Sequence, residues 1–226
     1  MTADLDFPVD ITRTQRKKSV SIQVKPNLVR VLAPKHLSEA KLQALIAKRR
    51  PWIQKQIAAI QKAPPFLPKE YINGECFNYL GNTYPLKVVA SDANSVKLVQ
   101  GHLKVSETPG ANTKGLLEDW FRQEASVQLR SKTARYCEVI KVEPKSIRVK
   151  AYKARWGSCS SKGEVSYNWR IVMAPHEVID YVVVHELSHL KELNHSPRFW
   201  RQVESICPDY RLHRTWLKHN GHLLKL

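Results

Sequence analysis

The sequence has little of what marks several special classes of protein. Its 226 residues include only 8 Gly and 13 Pro, too few for a collagen-like or low-complexity chain. The four cysteines, Cys76, Cys137, Cys159 and Cys207, stand far apart with no Cys-x-x-Cys pair, so we predict free thiols. No apolar run approaches the roughly 18 residues of a membrane span, so we expect no membrane insertion.

The beginning of the sequence also lacks the features of an export signal. Its first ten residues contain three aspartates and no basic residue, whereas a secretory signal has a positive start and an apolar stretch. We therefore expect a cytoplasmic protein.

Acidic residues are scarce relative to basic ones. Lys and Arg number 37 against 20 for Asp and Glu, which gives a net charge of +17 and suits a polyanionic partner. Basic clusters lie at Arg13–Lys18, Lys48–Arg50, Lys141–Arg155 and Arg198–Lys218. They are candidates for contacts with nucleic acid, although solvated surface is the commoner role of such clusters.

The first half of the chain has the pattern of a β-rich region with helices inserted. Alternating apolar residues predict strands at 19–24 and 28–32. A helix begins at Ser38, and a second one is expected to start at Pro51, with Trp52 inward. Turn signals between alternating runs predict β-hairpins over 70–106. We assign residues 1–108 to an N-terminal β-rich region with helices at about 38–62.

The second half, residues 109–226, is predicted to be a second domain. One long amphipathic helix is expected over 114–140, strands over 146–152 and 165–172, and a further helix from His176 to about Leu193. Because strands and helices occur in blocks, the predicted fold class is α+β.

The main chemical feature is the motif His185-Glu186-Leu-Ser-His189 within that last helix. Histidines four residues apart lie on one helix face, where both imidazoles can reach one ion. Zinc accepts imidazole nitrogen, and a catalytic site needs three protein ligands and an open position. Two half-buried histidines beside a surface glutamate are the alternative reading, but unpaired imidazoles next to the apolar Tyr181–Val184 segment would be costly.

Two residues compete to be the third ligand. Glu192 is about 10 Å from His185 along a helix axis, too far for an ion held between the two histidines. His195 can reach the ion if the helix stops near Leu193 and the chain turns back, which a left-handed Asn194 and the following Pro197 favour. We therefore predict His185, His189 and His195 as metal ligands and Zn²⁺ as the cofactor.

The ligand set implies a hydrolytic mechanism. Zinc lowers the pKa of its water, and Glu186 takes the proton as general base and returns it to the leaving group. The strand 165–172 is a candidate for pairing with an extended peptide. An oxyanion stabiliser is expected among Arg155, Tyr210, His213 and Arg214, with no basis for choosing. We read 156–160 as an ordinary Gly-Ser turn.

These motifs together resemble the YgjP-like metallopeptidase family. The resemblance rests on the segments 185–196 (HELSHLKELNHS), 198–200 (RFW), 155–160 (RWGSCS) and 168–170 (NWR). It implies that residues 109–226 are a zincin-like catalytic domain, a metallohydrolase with a long helix, a small mixed sheet and an HExxH helix. It also implies zinc ligands at His185, His189 and His195 and a general base at Glu186, and it suggests a distant relation to SprT-type proteases that act at DNA.

Three functions remain open at this stage. The first is a metallopeptidase in which Glu186 activates a zinc-bound water for attack on a peptide carbonyl. The second is a metal-dependent nucleoside-triphosphate pyrophosphatase, since phosphates need Arg and Lys clamps. The third is a nucleic-acid-associated, SprT-like protease or a basic binding module.

Overall fold

A computed structural model describes residues 6–16, 19–25, 28–62 and 67–226, and the chain forms two compact units, Met1–Pro65 and Phe66–Leu226. The predicted boundary after residue 108 falls inside the second unit. There, the strands before it and the long helix after it contribute to one hydrophobic core. No helix of the described residues is long and apolar enough to cross a bilayer.

The first unit is a three-stranded sheet with one helix. Strands β1 (Val9–Thr14), β2 (Ser21–Lys25) and β3 (Leu28–Pro34) have the order β1-β3-β2, with β1 parallel and β2 antiparallel to β3. Successive side chains of a strand point to opposite faces, and Val29, Val31 and Ala33 of β3 are accordingly all buried.

Helix α1 (Glu39–Lys62) runs through Pro51, so the prediction of two separate helices is wrong. The missing amide of Pro51 removes one hydrogen bond. A single buried stripe, Leu42, Ile46 and Ile53, nevertheless continues on both sides of the proline and packs into the same core. Trp52, predicted inward, is 43% exposed, because it points away from this stripe.

The second unit begins with the predicted hairpins, which are confirmed as a four-stranded sheet. Its strands are β4 (Cys76–Tyr79), β5 (Asn82–Ala90), β6 (Ser95–Val99) and β7 (His102–Glu107), in the order β4-β5-β7-β6. Apolar residues of β4, β5 and β7 join the core cluster that also contains α2.

Helix α2 (Thr113–Ile140) confirms the long amphipathic helix. The Asn112 side chain accepts a hydrogen bond from the amide of Gly115 and caps its start. Lys141, in the left-handed conformation, ends it. Its buried stripe follows helical spacing and consists of Leu117, Phe121, Ala125, Leu129, Thr133 and Ile140.

A second, three-stranded sheet precedes the motif helix. It contains β8 (Ser146–Lys150), β9 (Gly157–Cys159) and β10 (Glu164–Asn168) in the order β8-β10-β9. The predicted strand 165–172 is therefore too long, because residues 169–173 form a 3₁₀ turn. β10 is also central, with β8 parallel on one side and β9 antiparallel on the other. Both of its edges are occupied, so its assignment as the peptide-pairing strand is wrong.

Three helices complete the unit and surround the motif. Helix α3 (His176–Ser188) is buried along most of its length and contacts α2, α4, α5 and β9. Helices α4 (Pro197–Ile206) and α5 (Tyr210–Asn220) follow it. An ion pair of 2.6 Å between Lys132 and Asp180 joins α2 to α3. The predicted α+β class is confirmed.

Candidate metal centre

Helix α3 presents two imidazoles on one face. His185 lies in its last turn and His189 is the residue directly after its end, still with helical backbone angles. The two ring centroids are 5.0 Å apart, as expected for residues one turn apart. His189 is only 8% exposed. The helix therefore fixes two of the three predicted ligands.

The chain reverses direction after α3, but not in the predicted way. The helix ends at Ser188 rather than near Leu193, and Asn194 is not among the described residues with a left-handed backbone. Instead, the Asn194 side chain accepts a hydrogen bond of 3.1 Å from the amide of Ser196. Ser196 in turn caps α4, whose first residue is Pro197. His195 is thereby held one residue before the cap of a new helix.

The reversal brings the three histidines together. One ligand nitrogen of each lies within 4.8 Å of the other two, and the Nε2 atoms of His185 and His195 are 3.1 Å apart. A zinc ion at 2.0–2.1 Å from tetrahedral nitrogen ligands keeps those nitrogens about 3.4 Å apart. The three side chains therefore fit one divalent ion.

The protonation of the rings also suits metal binding. Burial lowers the pKa of His185 to about 3, and burial together with His189 and Arg214 lowers the pKa of His195, so both rings are neutral at pH 7. Nδ1 of His189 lies 2.9 Å from the backbone carbonyl of Glu192. If it carries the proton and donates to that carbonyl, Nε2 is left free for an ion. Among the described residues, Nδ1 of His185 has no hydrogen-bond partner.

The Glu192 side chain does not join the cluster. Its carboxylate forms an ion pair of 2.8 Å with Arg198, away from the rings. Glu192 contributes to the site only through its backbone carbonyl, which contacts Nδ1 of His189. The carboxylate therefore lies outside the group of His185, His189 and His195, as expected from the sequence.

Helix α4 covers the histidines with two aromatic side chains. Phe199, fully buried, stacks on His189 with ring centroids 4.5 Å apart. Trp200 stacks on His195 at 5.5 Å and on Tyr210 at 5.1 Å. This apolar wall restricts the orientation of the rings.

Glu186 lies beside the cluster, against the edge strand β9. It is 7% exposed, and burial raises the pKa of its carboxyl to about 8, opposed by the charge of Arg155. A methyl group on Gly157 would come within 2.5 Å of Cγ and 2.6 Å of Oε1 of Glu186. The residue at position 157 must therefore be glycine for the carboxylate to occupy this place, so the reading of 156–160 as an ordinary turn missed its role.

A cavity of about 390 Å³ opens at Glu186 and His185. Arg155, Trp156, Tyr181, Arg214, Leu217 and Lys218 contribute to its walls. Of the four candidates for oxyanion stabilisation, Arg155 and Arg214 line this cavity. Tyr210 and His213 do not line it. Tyr210 is buried against Trp200, and the ring of His213 lies 6.5 Å from that of Tyr181.

Sequence reasoning missed several of these contributors. Tyr181 precedes His185 by four residues, a spacing that places it on the ligand face of α3 and was an available signal. Lys218 had no such signal, since it reaches the cavity only through the packing of α5 on α3. Phe199 belongs to the segment 198–200, but its contact with His189 could not be predicted from the sequence.

Comparison with known proteins assigns this chain to a class. The chain is a hydrolase of the metallopeptidase class with a zincin-like α+β domain, and this class requires a divalent metal. In particular, residues 18–220 match the family described as "YgjP-like, metallopeptidase domain", and the chain belongs to that family. The resemblance seen in the sequence motifs is confirmed.

Two of the solved structures that are similar to part of this chain are metallopeptidase zymogens. Abylysin of Pyrococcus abyssi is 22% identical, with a TM-score of 0.36 over 40% of this chain and 93% of its own. Jannalysin of Methanocaldococcus jannaschii is also 22% identical, with a TM-score of 0.35 over 38% of this chain and 93% of its own. No curated protein matches the chain.

Proposed function

We propose that the chain is a zinc-dependent peptidase in which His185, His189 and His195 hold the metal and Glu186 is the general base. The observation that carries this proposal is the convergence of three imidazoles, with ligand nitrogens within 4.8 Å of one another, beside a buried carboxyl group. Zinc supplies a water of lowered pKa and polarises the carbonyl of the substrate.

The role of Glu186 follows from its position on α3. It adjoins the ligand His185 in sequence, so its side chain lies to one side of the ligand face and lines the same cavity as His185. From there its carboxylate can accept a proton from the attacking water and pass it to the leaving amine. Packing against Gly157 holds the carboxylate in this position.

Strand β9 is the best place for an extended peptide. In the described part of the chain it pairs only with β10, which leaves one edge for a further strand, and its first residue contacts Glu186. A peptide added to β9 would pass beside the carboxylate. Methylation of single peptide-bond nitrogens in a cleaved substrate tests this, because loss of the backbone hydrogen bonds should abolish cleavage at alternate positions.

The test of the proposed function separates metal binding from chemistry. Glu186→Gln should keep one zinc per chain and lose at least about 100-fold in the hydrolysis of casein or of a peptide mixture. His185→Ala, His189→Ala and His195→Ala should each lose both the metal and the activity. Full hydrolysis by Glu186→Gln, or after complete chelation, would disprove the proposal.

The nucleotide alternative has one observation in its favour, the three cations at the cavity, Arg155, Arg214 and Lys218, which would suit a phosphate chain. It predicts release of pyrophosphate from UTP or another nucleoside triphosphate with the same dependence on Glu186. Under that alternative, peptides and casein would remain intact.

A further inference from the structure

The cavity at Glu186 has an excess of positive charge, since three cations and one acid, Glu186, line it. Arg155, Arg214 and Lys218 all line it and are all exposed. Among the described residues, no carboxylate forms an ion pair with any of the three, whereas Arg211, three residues before Arg214 on α5, pairs with Glu204 at 3.4 Å. The carboxylate that does line the cavity, Glu186, is assigned to catalysis.

The guanidinium groups of Arg155 and Arg214 contact aromatic rings and form no ion pair with a carboxylate among the described residues. Arg214 lies over the ring of Trp200 at 5.0 Å, and Arg155 lies over the ring of Tyr152 at 5.5 Å. Such contacts restrain a cation without neutralising it. The guanidinium groups are therefore positioned and keep their full charge for a ligand.

Part of the wall is apolar. Trp156, Val182 and Leu217 line the same cavity as the cations. Trp156 is itself fixed by close packing, since a methyl group on Gly221 would lie 2.9 Å from its Cζ2 atom. A ligand that fits such walls has a short apolar stem and a negatively charged end.

We propose that this cavity is a specificity pocket for an acidic side chain of the peptide substrate, Asp or Glu, next to the bond that is cleaved. The inference rests on the proposed peptidase function. A volume of about 390 Å³ admits one such side chain, with its methylene groups on the apolar wall and its carboxylate at Arg214, Arg155 and Lys218. A triphosphate suits the cavity less well, since it has no apolar stem and would bring several negative charges alongside Glu186.

The test uses capped Ala/Ser heptapeptides that carry a single Glu at each position in turn, with matched Gln peptides. For the zinc-loaded wild-type chain we expect one position at which Glu raises kcat/KM at least tenfold over Gln. In Arg214→Gln and in Lys218→Gln this ratio should fall below about threefold. The ratio is taken within each variant, so a general loss of activity cancels. Arg211→Gln, with the same charge change on the same helix, should keep the ratio.

A binding measurement distinguishes failure of this inference from failure of the proposed function. Calorimetry with zinc-loaded Glu186→Gln gives the Kd of the same peptides without turnover, and the Glu peptide should again bind at least tenfold more tightly. If no peptide is cleaved, the proposed function fails and these Kd values alone decide on the pocket. Equal Kd and equal kcat/KM for Glu and Gln at every position would overturn the inference. So would UTP binding that depends on Arg214 while acidic peptides do not bind.

Discussion

The Cα atom of Gly157 lies directly against the side chain of Glu186, so that any Cβ at position 157 would overlap the carboxylate. The added atom would be 2.5 Å from Cγ, 2.6 Å from Oε1 and 2.7 Å from Cδ. Strand β9 thereby supports the side chain that we propose as the general base, and the backbone of the sheet limits the positions that this side chain can take.

The first prediction is that Gly157→Ala displaces the carboxylate without affecting the metal. Hydrolysis should fall about 100-fold, since a shift of about 1 Å in a catalytic group has an effect of this size. Zinc content should be unchanged. The control is Gly115→Ala in the first turn of α2, where the atom nearest to the new methyl is Nδ2 of Asn112, at 3.2 Å. Wild-type activity in Gly157→Ala would show that the close contact has no catalytic role.

The second prediction separates the two candidates for the third ligand. His195→Ala should remove the metal, and a zinc titration should show a Kd raised by at least 100-fold. Glu192→Ala should keep the metal, because only the backbone carbonyl of Glu192 contacts His189, while its carboxylate pairs with the exposed Arg198. Loss of zinc from Glu192→Ala with retention in His195→Ala would reverse the assignment.

The third prediction concerns metal removal. A ligand that binds only the native state at about 1,000 times its Kd adds about 4 kcal/mol to the free energy of unfolding. For a chain of this size that corresponds to a fall in Tm of roughly 8–16 °C on chelation. Calorimetry with and without EDTA measures it. His189→Ala, unable to hold the ion, should melt at the same temperature in both conditions, and an equal shift in that variant would point to a different metal site.

A fourth prediction concerns stability at high pH. Tyr79 donates a hydrogen bond of 2.5 Å to the Glu124 carboxylate, and burial together with this bond raises the pKa of its phenol. The native state then holds the proton more tightly than the unfolded chain, so the free energy of unfolding should fall as pH rises above about 10. Urea denaturation between pH 8 and 11 should show a shallower decline in Tyr79→Phe. Tyr84→Phe, in the next strand, should decline like the wild type.

A fifth prediction addresses the basic surface. Lys141, Lys145, Arg148, Lys150, Lys153 and Arg155 are all exposed on one short stretch that includes β8. If this stretch follows a phosphate backbone, the affinity for a 20-base-pair duplex should fall steeply with salt, and Lys145→Gln should reduce the log–log slope by about one. An affinity that does not change between 50 and 200 mM salt would remove nucleic acid as a partner.

The parts of the site that sequence could predict are those governed by local spacing. The i, i+4 spacing placed His185 and His189 on one face of α3, and the reversal before Pro197 favoured His195 over Glu192. The means of that reversal was not foreseen, because an Asn194 side chain that bonds the backbone and a left-handed Asn194 look the same in sequence. In the sequence, Gly157 has the pattern of a turn residue. The side chain that leaves no room for a Cβ at this position is Glu186 of α3, which is distant in sequence.

The fold shows the same division between local and distant causes. Helix α2 has one buried stripe and a capping Asn112, and both were visible in its own sequence. Helix α1 continues through Pro51 because the core of the first unit receives residues from both halves, which local rules for proline cannot show. In the described part of the chain β9, and not β10, lies at an edge of its sheet. This depends on strand order, which is a property of the whole sheet.

The tight link between α3 and α4 has a consequence for the natural variation of this segment. Surface connections usually accept insertions and deletions. Here the backbone carbonyl at position 192 contacts the ring of His189, and the side chain at 194 bonds the residue that caps the next helix. The third histidine, at position 195, lies between that side chain and the cap. A single added or deleted residue would disturb both hydrogen bonds at once, so the length of this connection should stay constant wherever the enzyme remains active, even where its side chains differ.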